Sequence, residues 1–188
     1  MDGGLEIDGS LIAELDVEEV KRQYEIIKSR GVESIVIVGM FSPKDVLFQQ
    51  EETAAAIIRE LYPEANVVCS KDVANIGFLE RENAAILNAS ILPFARRTIH
   101  SFQNAVSHLG LKCPVFVTQN DGSMLPASMA ARLPIRTFSS GPTNSMRGAT
   151  FLMQDQEKEA MVAVDIGGTT TDVGILQKER VSAASSRL

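Results

Sequence analysis

The sequence has little of what marks secreted, membrane-spanning or nucleic-acid-binding proteins. Its 188 residues include two cysteines, Cys69 and Cys113, each in an apolar stretch that predicts a buried strand thiol and no disulfide. No apolar run approaches the roughly 18 residues of a membrane span. Its 18 basic and 24 acidic residues give a net charge of −6, which argues against a nucleic-acid partner. These deficits predict a protein without nucleic-acid or membrane partners.

The two ends of the chain differ in their targeting signals. Residues 1–6 lack the basic and apolar regions of a signal peptide, which predicts a cytoplasmic protein. The chain ends in Ser186-Arg187-Leu188, which is close to the Ser-Lys-Leu address of peroxisomal proteins. A cytoplasmic location is therefore the prediction, and peroxisomal import is its alternative.

Helical and strand patterns alternate along the chain, and 45% hydrophobic residues are enough to form a core. Asp16 and Glu19 form a capping box that begins a helix, and Gly31 ends it. A second helix is predicted to begin at Ser42-Pro43, because proline is favoured in the first helical turn.

The middle of the chain predicts one long helix over residues 80–109, which Pro93 should kink or divide. Its apolar face is expected to comprise Leu87, Ile91, Phe94, Thr98 and Phe102. Strand patterns occupy residues 35–38, 67–69, 115–118, 135–138, 161–165 and 173–176, with a short helix at 127–133. This order predicts an α/β fold, with a mostly parallel sheet and flanking helices. The last two strands are joined too closely for a helical crossover and should form an antiparallel hairpin.

The most informative motif lies in this last hairpin and reads Asp165-Ile166-Gly167-Gly168-Thr169-Thr170-Thr171-Asp172. Two glycines let a backbone approach a ligand closely, and backbone N–H groups and hydroxyls can surround phosphate oxygens. Carboxylates beside phosphates commonly hold Mg²⁺ or orient water. Asp165 and Asp172 are thus candidate catalytic and metal residues, and the candidate phosphate contacts are Gly167, Gly168, Thr169, Thr170 and Thr171. The alternative is a plain hairpin turn, and the motif is neither a Walker A loop nor a Rossmann fingerprint.

Two further segments could face a ligand. Asn120 and Asp121 follow a predicted strand, at the sheet edge where α/β proteins bind ligands, although an ordinary Asn-Asp-Gly turn is the alternative. Ser140 and Gly141 precede a stretch that can be helical, whose first N–H groups and nearby Arg147 would favour an anion. Simple N-capping is the alternative for the serine.

Charged and histidine residues of the long helix have plainer interpretations. Glu80, Arg81 and Glu82 begin the helix, and a surface charge cluster is the interpretation that their chemistry favours. His100 and His108 have no acidic or cysteine partner at metal-ligand spacing, so both are expected to be non-catalytic.

Four motifs in order resemble the hydantoinase A/oxoprolinase family, whose members are ATP-dependent cyclic-amide hydrolases of the actin-like superfamily. The hairpin resembles the phosphate hairpin of that superfamily. The other three are Glu80-Arg81-Glu82-Asn83 with Leu87-Asn88-Ala89 and Pro93, Gln119-Asn120-Asp121-Gly122, and Pro134-Ile135-Arg136-Thr137 with Ser139-Ser140-Gly141-Pro142. Residues 1–79 resemble the end of the family's N-terminal domain, and residues 80–188 resemble the start of its hydantoinase A domain. The family has glycine where this chain has Asp121, which implies a different substrate or metal arrangement there.

The resemblance implies an activity. ATP would phosphorylate the carbonyl oxygen of a cyclic amide, and water would then open the ring. Asp165 and Asp172 would manage Mg²⁺ and water, the glycines and threonines between them would hold phosphates, and Asn120 and Asp121 would face the reacting group. Ser140 and Gly141 would add an anion contact, and a second hydantoinase subunit or domain is an expected partner.

Two other functions remain open at this stage. One is a non-catalytic actin-like interaction or regulatory module, and the other is a kinase for a small hydroxylated molecule. Family members also carry an earlier Asp-Gly-Gly-Thr hairpin and a later glycine-rich nucleotide segment, which are absent from this sequence. The chain therefore resembles an internal fragment, and residues 1–188 alone are expected neither to bind ATP tightly nor to hydrolyse it at an enzymatic rate.

Overall fold

A computed structural model describes residues 1–75, 77–153, 160–177 and 180–182. The helices are α1 Val17–Ser29, α2 Gln50–Leu61, α3 Phe78–His108, α4 Ala127–Ala130 and α5 Ser140–Leu152. The strands are β1 Ser34–Ile37, β2 Asn66–Cys69, β3 Phe116–Thr118, β4 Met124–Pro126, β5 Ala160–Ile166, β6 Thr171–Gln177 and β7 Arg180–Ser182. The chain divides into two compact units, one of Met1–Phe102 with Ala131–Ile135, the other of Gln103–Ala130 with Arg136–Leu188.

The first unit is built on the parallel pair β1 and β2. Ile35 lies opposite Val67 in this pair, and α1 and α2 pack around it. The Asp16 carboxylate accepts a hydrogen bond from the Glu19 N–H at 2.9 Å, which confirms Asp16 as the N-cap of α1. The Glu19 carboxylate bonds to Gln23 and Arg22 instead of completing the predicted capping box. The buried core comprises Val20, Ile35, Ala54, Ala55, Ile58, Val67 and Cys69.

The start predicted for the second helix was wrong. Ser42–Lys44 forms a single 3-10 turn, and α2 begins only at Gln50. Asp45 is the reason, because its carboxylate accepts hydrogen bonds from the N–H groups of Phe48, Gln49 and Gln50 at 2.8–2.9 Å. The cap thus acts from five residues before the helix, across a loop in which Gln49 has a φ of 50°.

The long helix α3 was predicted with nearly correct ends, but its buried face was not. It passes through Pro93 without being divided. Leu87, Phe94 and Phe102, expected in the core, are more than half exposed. The buried positions of α3 are instead Arg81, Ala85, Asn88, Ala89 and Leu92. The buried face therefore includes a charged and an amide side chain, both hydrogen-bonded.

The second unit contains two antiparallel sheets. β3 pairs with β4, and β5, β6 and β7 form a three-stranded sheet in that order. The chain is thus an α/β protein, but the described strands form three small sheets, and the expected mostly parallel sheet is not confirmed. Residues 135–138, predicted as a strand, lie mostly in the 3-10 turn Pro134–Thr137. The Ile135 N–H donates to the buried Asn88 side chain at 3.2 Å, so it is not available to a strand partner.

The two cysteines have different environments. Cys69 is buried in β2, and burial raises the pKa of its thiol to about 11, with a further contribution from the charge of Glu51. Cys113 is exposed, so its predicted burial was wrong. Both are free thiols, as expected. Among the described residues, no helix has the length and apolar character needed to cross a membrane.

Candidate functional site

The predicted carboxylate pair is formed by the register of the last hairpin. Asp165 on β5 lies directly opposite Asp172 on β6, and both are half-buried. Directly opposed residues of an antiparallel pair project from the same face of the sheet, where like charges destabilise the pairing. The two side chains thus form a concentrated negative site at the end of the hairpin, which a bound cation would neutralise.

The turn between these strands is open to a ligand. The Gly167 N–H donates to the Thr170 carbonyl at 2.9 Å, and residues 167–171 are all exposed. A Cβ built on Gly168 would meet no atom within 4 Å, so the backbone there is accessible from outside. All five predicted phosphate contacts are therefore exposed beside the carboxylate pair.

The opposite surface of the hairpin is apolar. Its outward-facing side chains are exposed, and they are Val162, Val164, Ile166, Val173 and Ile175. The inner surface is covered by α5, where Met146 packs directly on Gly174. The hairpin is thus apolar and exposed on one face, and it carries the carboxylate pair on the face that packs on α5.

Helix α5 connects the carboxylate pair to the loop that contains Asn120. The Thr143 hydroxyl donates to the Asn120 carbonyl at 2.8 Å. The Ser145 hydroxyl donates to Oδ2 of Asp165 at 2.5 Å. Asn120 and Asp165, which sequence analysis placed in one site, are thus both held by one turn of α5.

The start of α5 is not a simple N-cap. Ser139 has a φ of 59° and its side chain makes no capping hydrogen bond to the helix. Ser140 and Gly141 form the first helical positions, with Ser140 half-buried and Gly141 exposed and without neighbours within 4 Å of a built Cβ. The predicted anion contact at these two residues is geometrically open and stays a prediction.

The loop of residues 119–122 is a closed turn in which the Asp121 side chain makes local hydrogen bonds. Oδ1 of Asp121 accepts hydrogen bonds from the hydroxyl of Ser123 at 2.6 Å and from its N–H at 2.8 Å. These bonds lower the pKa of Asp121, with a smaller contribution from the charge of Arg147. Arg147 lies across Gly122, since a Cβ on that glycine would come within 2.1 Å of Nε. One Asp121 oxygen thus shapes the loop, and the positive charge of Arg147 favours the ionised form of Asp121.

The first unit contains a buried polar network that the sequence did not reveal. Arg81 and Ser70 have no exposed surface, and Glu51 is 1% exposed. Arg81 Nε donates to the Ser70 hydroxyl at 2.8 Å, and that hydroxyl donates to Oε1 of Glu51 at 2.6 Å. Arg81 also donates to the Gly39 carbonyl at 2.5 Å. Burial lowers the pKa of Arg81, and the charge of Glu51 opposes this.

Arg81 and Asn88 therefore have structural roles within one of the four family-like motifs. The expected surface cluster at residues 80–82 was wrong for Arg81, although Glu80 is exposed. The Asn88 side chain, also fully buried, donates to the Arg132 carbonyl and accepts from the Ile135 N–H, both at 3.2 Å. The sequence signal for both residues was their resemblance to the family motifs.

A divalent cation bound by Asp165 and Asp172 would need additional ligands, from water or from a bound phosphate. Within the described part of the chain, no three histidine, cysteine or acidic side chains lie close enough to bind one metal ion. Two carboxylates leave several coordination positions for water and phosphate oxygens, which is the pattern that Mg²⁺ favours.

Two family descriptions match the chain. The hydantoinase/oxoprolinase N-terminal region matches residues 1–62, and hydantoinase/oxoprolinase matches residues 81–187. The predicted domain boundary at residue 79 stays a prediction, as do the roles of the individual site residues.

Curated relatives resemble most of this chain but are much longer. An uncharacterized protein of Methanocaldococcus jannaschii is 25% identical over 88% of this chain and 24% of its own length. The gamma subunit of acetophenone carboxylase from Aromatoleum aromaticum is 26% identical over 94% and 24%. The 5-oxoprolinase of Saccharomyces cerevisiae is 24% identical over 87% and 12%. This chain thus spans a quarter or less of these relatives.

The fold also occurs in a solved structure. Nucleotide-free acetone carboxylase matches 94% of this chain with a TM-score of 0.83, at 23% identity and over 25% of its own length. At this identity the match shows the fold alone.

Proposed function

Because this chain belongs to the hydantoinase/oxoprolinase family, we propose that it is part of an ATP-dependent enzyme that processes an amide or a ketone. The finer proposal is a hydrolase that opens a cyclic amide after phosphorylation of its carbonyl oxygen. The observation that supports it best is the opposed pair Asp165 and Asp172 beside an exposed turn rich in glycine and threonine.

The residues of this hairpin fit Mg²⁺ and a nucleotide phosphate. Carboxylate oxygens are the protein ligands that Mg²⁺ takes alongside phosphate oxygens. The unhindered backbone at Gly168 lets an anion approach N–H groups closely. Bound ATP would supply the phosphoryl group, and Mg²⁺ would neutralise its charge.

Each residue then has a defined task. Asp165 and Asp172 hold the cation and orient water, and the turn between them binds phosphate oxygens. Asn120, tied to α5 through its carbonyl, directs its side chain to the reacting carbonyl group. Asp121 keeps that loop closed through Ser123. The protein thereby contributes positioning and charge stabilisation, the main sources of catalysis in phosphoryl transfer.

The substrate and the partner are proposed from the relatives. One relative is a 5-oxoprolinase and another is a subunit of an acetophenone carboxylase. Oxoproline is a cyclic amide and acetophenone is a ketone, so a carbonyl oxygen is the group that the two substrates share. Because the second relative is a gamma subunit, we also propose that this chain works with a second hydantoinase-type subunit or domain.

Titration of the purified chain with Mg-ATP, followed by NMR, tests the nucleotide site. We expect weak binding, with amide shifts concentrated in residues 165–172 and lost in Asp165→Ala. Asp16→Asn, which keeps a helix cap in the first unit, is the matched control and should bind as the parent does. Absence of Asp165-dependent shifts would contradict the proposal.

Product analysis separates the alternatives. Phosphate release by the chain alone should stay at the uncatalysed level. Robust turnover with ring opening, abolished by both Thr169→Ala and Asp165→Ala, would show that residues 1–188 suffice. A phosphorylated product would instead indicate a small-molecule kinase. The exposed apolar surface of the hairpin favours the third candidate, an interaction module without turnover, which would bind a partner but release no ADP.

A further inference from the structure

A hydroxyl of α5 is bonded to one oxygen of the carboxylate pair. Ser145 Oγ donates to Oδ2 of Asp165 at 2.5 Å, joining residues twenty positions apart in sequence. Ser145 is half-buried, and its neighbour Met146 fixes the helix against β6 by packing on Gly174. The hydroxyl is therefore presented to Asp165 by a packed element, and its position does not depend on a flexible loop.

This bond makes the two oxygens of Asp165 unequal. A hydrogen bond between a neutral donor and an ionised carboxylate is short and strong, so it restricts rotation of the carboxylate. The bond also uses a lone pair of Oδ2 that would otherwise be available to a cation. Oδ1 is left as the better ligand, on the sheet face that also carries Asp172.

Divalent cations differ in how they use a carboxylate. Mg²⁺ requires near-octahedral geometry at about 2.0–2.1 Å and takes single oxygens, with water and phosphate completing its shell. Ca²⁺ binds at about 2.3–2.6 Å and readily takes both oxygens of one carboxylate. Two-oxygen binding to Asp165 would have to weaken the hydrogen bond from Ser145.

We propose that Ser145 is a positioning residue that restricts Asp165 to one-oxygen coordination, so that the carboxylate pair selects Mg²⁺ over Ca²⁺. The inference rests on the proposed function, because it takes the pair to be the cation site. Beyond the proposed function, Ser145 joins the site from outside the hairpin, and the site distinguishes Mg²⁺ from Ca²⁺.

The test measures Mg²⁺ and Ca²⁺ affinities of the purified chain separately, from NMR shifts of the residue 165–172 amides. Ser145→Ala should lower the ratio of Mg²⁺ to Ca²⁺ affinity by about tenfold, the effect of losing one charge-assisted hydrogen bond. Ser145→Thr keeps the hydroxyl and should keep the ratio. Thr150→Val is the matched control on α5, because Thr150 donates to the Met146 carbonyl at 2.9 Å, within its own helix.

Each outcome decides the inference. A reduced ratio in Ser145→Ala, restored in Ser145→Thr and unchanged in Thr150→Val, supports it. An unchanged ratio in Ser145→Ala, with both cations lost in Asp165→Asn, overturns the role of Ser145 and leaves the cation site standing. Equal loss of both cations in Ser145→Ala shows a structural role only and also overturns it. Cation binding that is insensitive to Asp165→Asn rejects both the site and the inference.

Discussion

Ser70 accepts a hydrogen bond from Nε of Arg81 over 2.8 Å, and neither side chain has any exposed surface. The same hydroxyl donates to Glu51, so one serine connects a buried cation to a buried anion. Glu51 in turn accepts from the N–H of Gly39 at 2.7 Å, in the segment that follows β1. The end of β1, the end of β2 and the starts of α2 and α3 are thereby joined by one polar network.

Arg81→Ala should lower the free energy of unfolding by about 3–5 kcal/mol, because it leaves the Glu51 carboxylate buried without its counter-charge. Arg81→Lys should recover only part of this, since an ammonium group cannot reproduce the guanidinium fork. Urea unfolding followed by circular dichroism measures both. Arg97→Ala, at an exposed position of the same helix, should change stability by less than about 0.5 kcal/mol. A loss of similar size in Arg97→Ala would contradict the special role of Arg81.

The high pKa of Cys69 should make stability fall at alkaline pH. The folded thiol has a pKa of about 11 against an ordinary value of 9.0, so the unfolded chain loses this proton first. The stabilising contribution is complete below pH 9 and is lost as pH rises towards 11. Cys69→Val should remove roughly 2–3 kcal/mol of that alkaline loss. The measurement is the unfolding free energy between neutral and alkaline pH. The exposed Cys113→Val should retain the parent's profile.

Gly122→Ala should destabilise the second unit through two separate effects. Gly122 has a φ of 81°, and a Cβ there would come within 2.1 Å of the Arg147 side chain. Gly110→Ala is the matched control, because its φ is 72° but a Cβ would meet nothing within 4 Å. We expect about 1 kcal/mol for the backbone strain alone in the control and a larger loss at Gly122. Adding Arg147→Ala to Gly122→Ala should remove the extra loss of stability at Gly122, because the side chain that the Cβ would meet is then absent. A persistent extra loss would contradict the contact.

Asp172→Asn should raise stability by about 0.5–1 kcal/mol without Mg²⁺, because it relieves the repulsion with Asp165. With Mg²⁺ added, the unfolding temperature of the parent should rise, since binding to the folded state stabilises it by mass action. The unfolding temperature of the variant should not change. Comparable Mg²⁺ shifts in both proteins would place the cation elsewhere.

Local signals predicted the elements whose bonds are local. The helix cap at Asp16 and the antiparallel pairing of Asp165 with Asp172 depend on residues close in sequence, and both are observed. The start of α2 was missed because Asp45 caps it from a distance, through a loop in which Gln49 is left-handed. Residues 135–138 have strand propensity, but the hydrogen bond to Asn88 overrides it.

The sequence allowed the residues of the candidate site to be named, but not the contacts that hold them together. Asp165, Asp172 and the turn between them could be recognised because their spacing is itself the motif. The contacts of Thr143 and Ser145 could not, since hydroxyls at helical spacing are common and their partners lie in other segments. Arg81 was misplaced on the surface for the same reason, because its partners Ser70 and Gly39 lie in other segments of the chain.

The return of residues Ala131–Ile135 to the first unit sets an order of events during synthesis. Until Ile135 has left the ribosome, Asn88 lacks the donor that its buried side-chain oxygen accepts from. Residues Gln103–Ala130 must be made in the interval, a delay of a few seconds at about 5–20 residues per second. The N-terminal half of the chain therefore reaches its final packing only after part of the second unit has been translated.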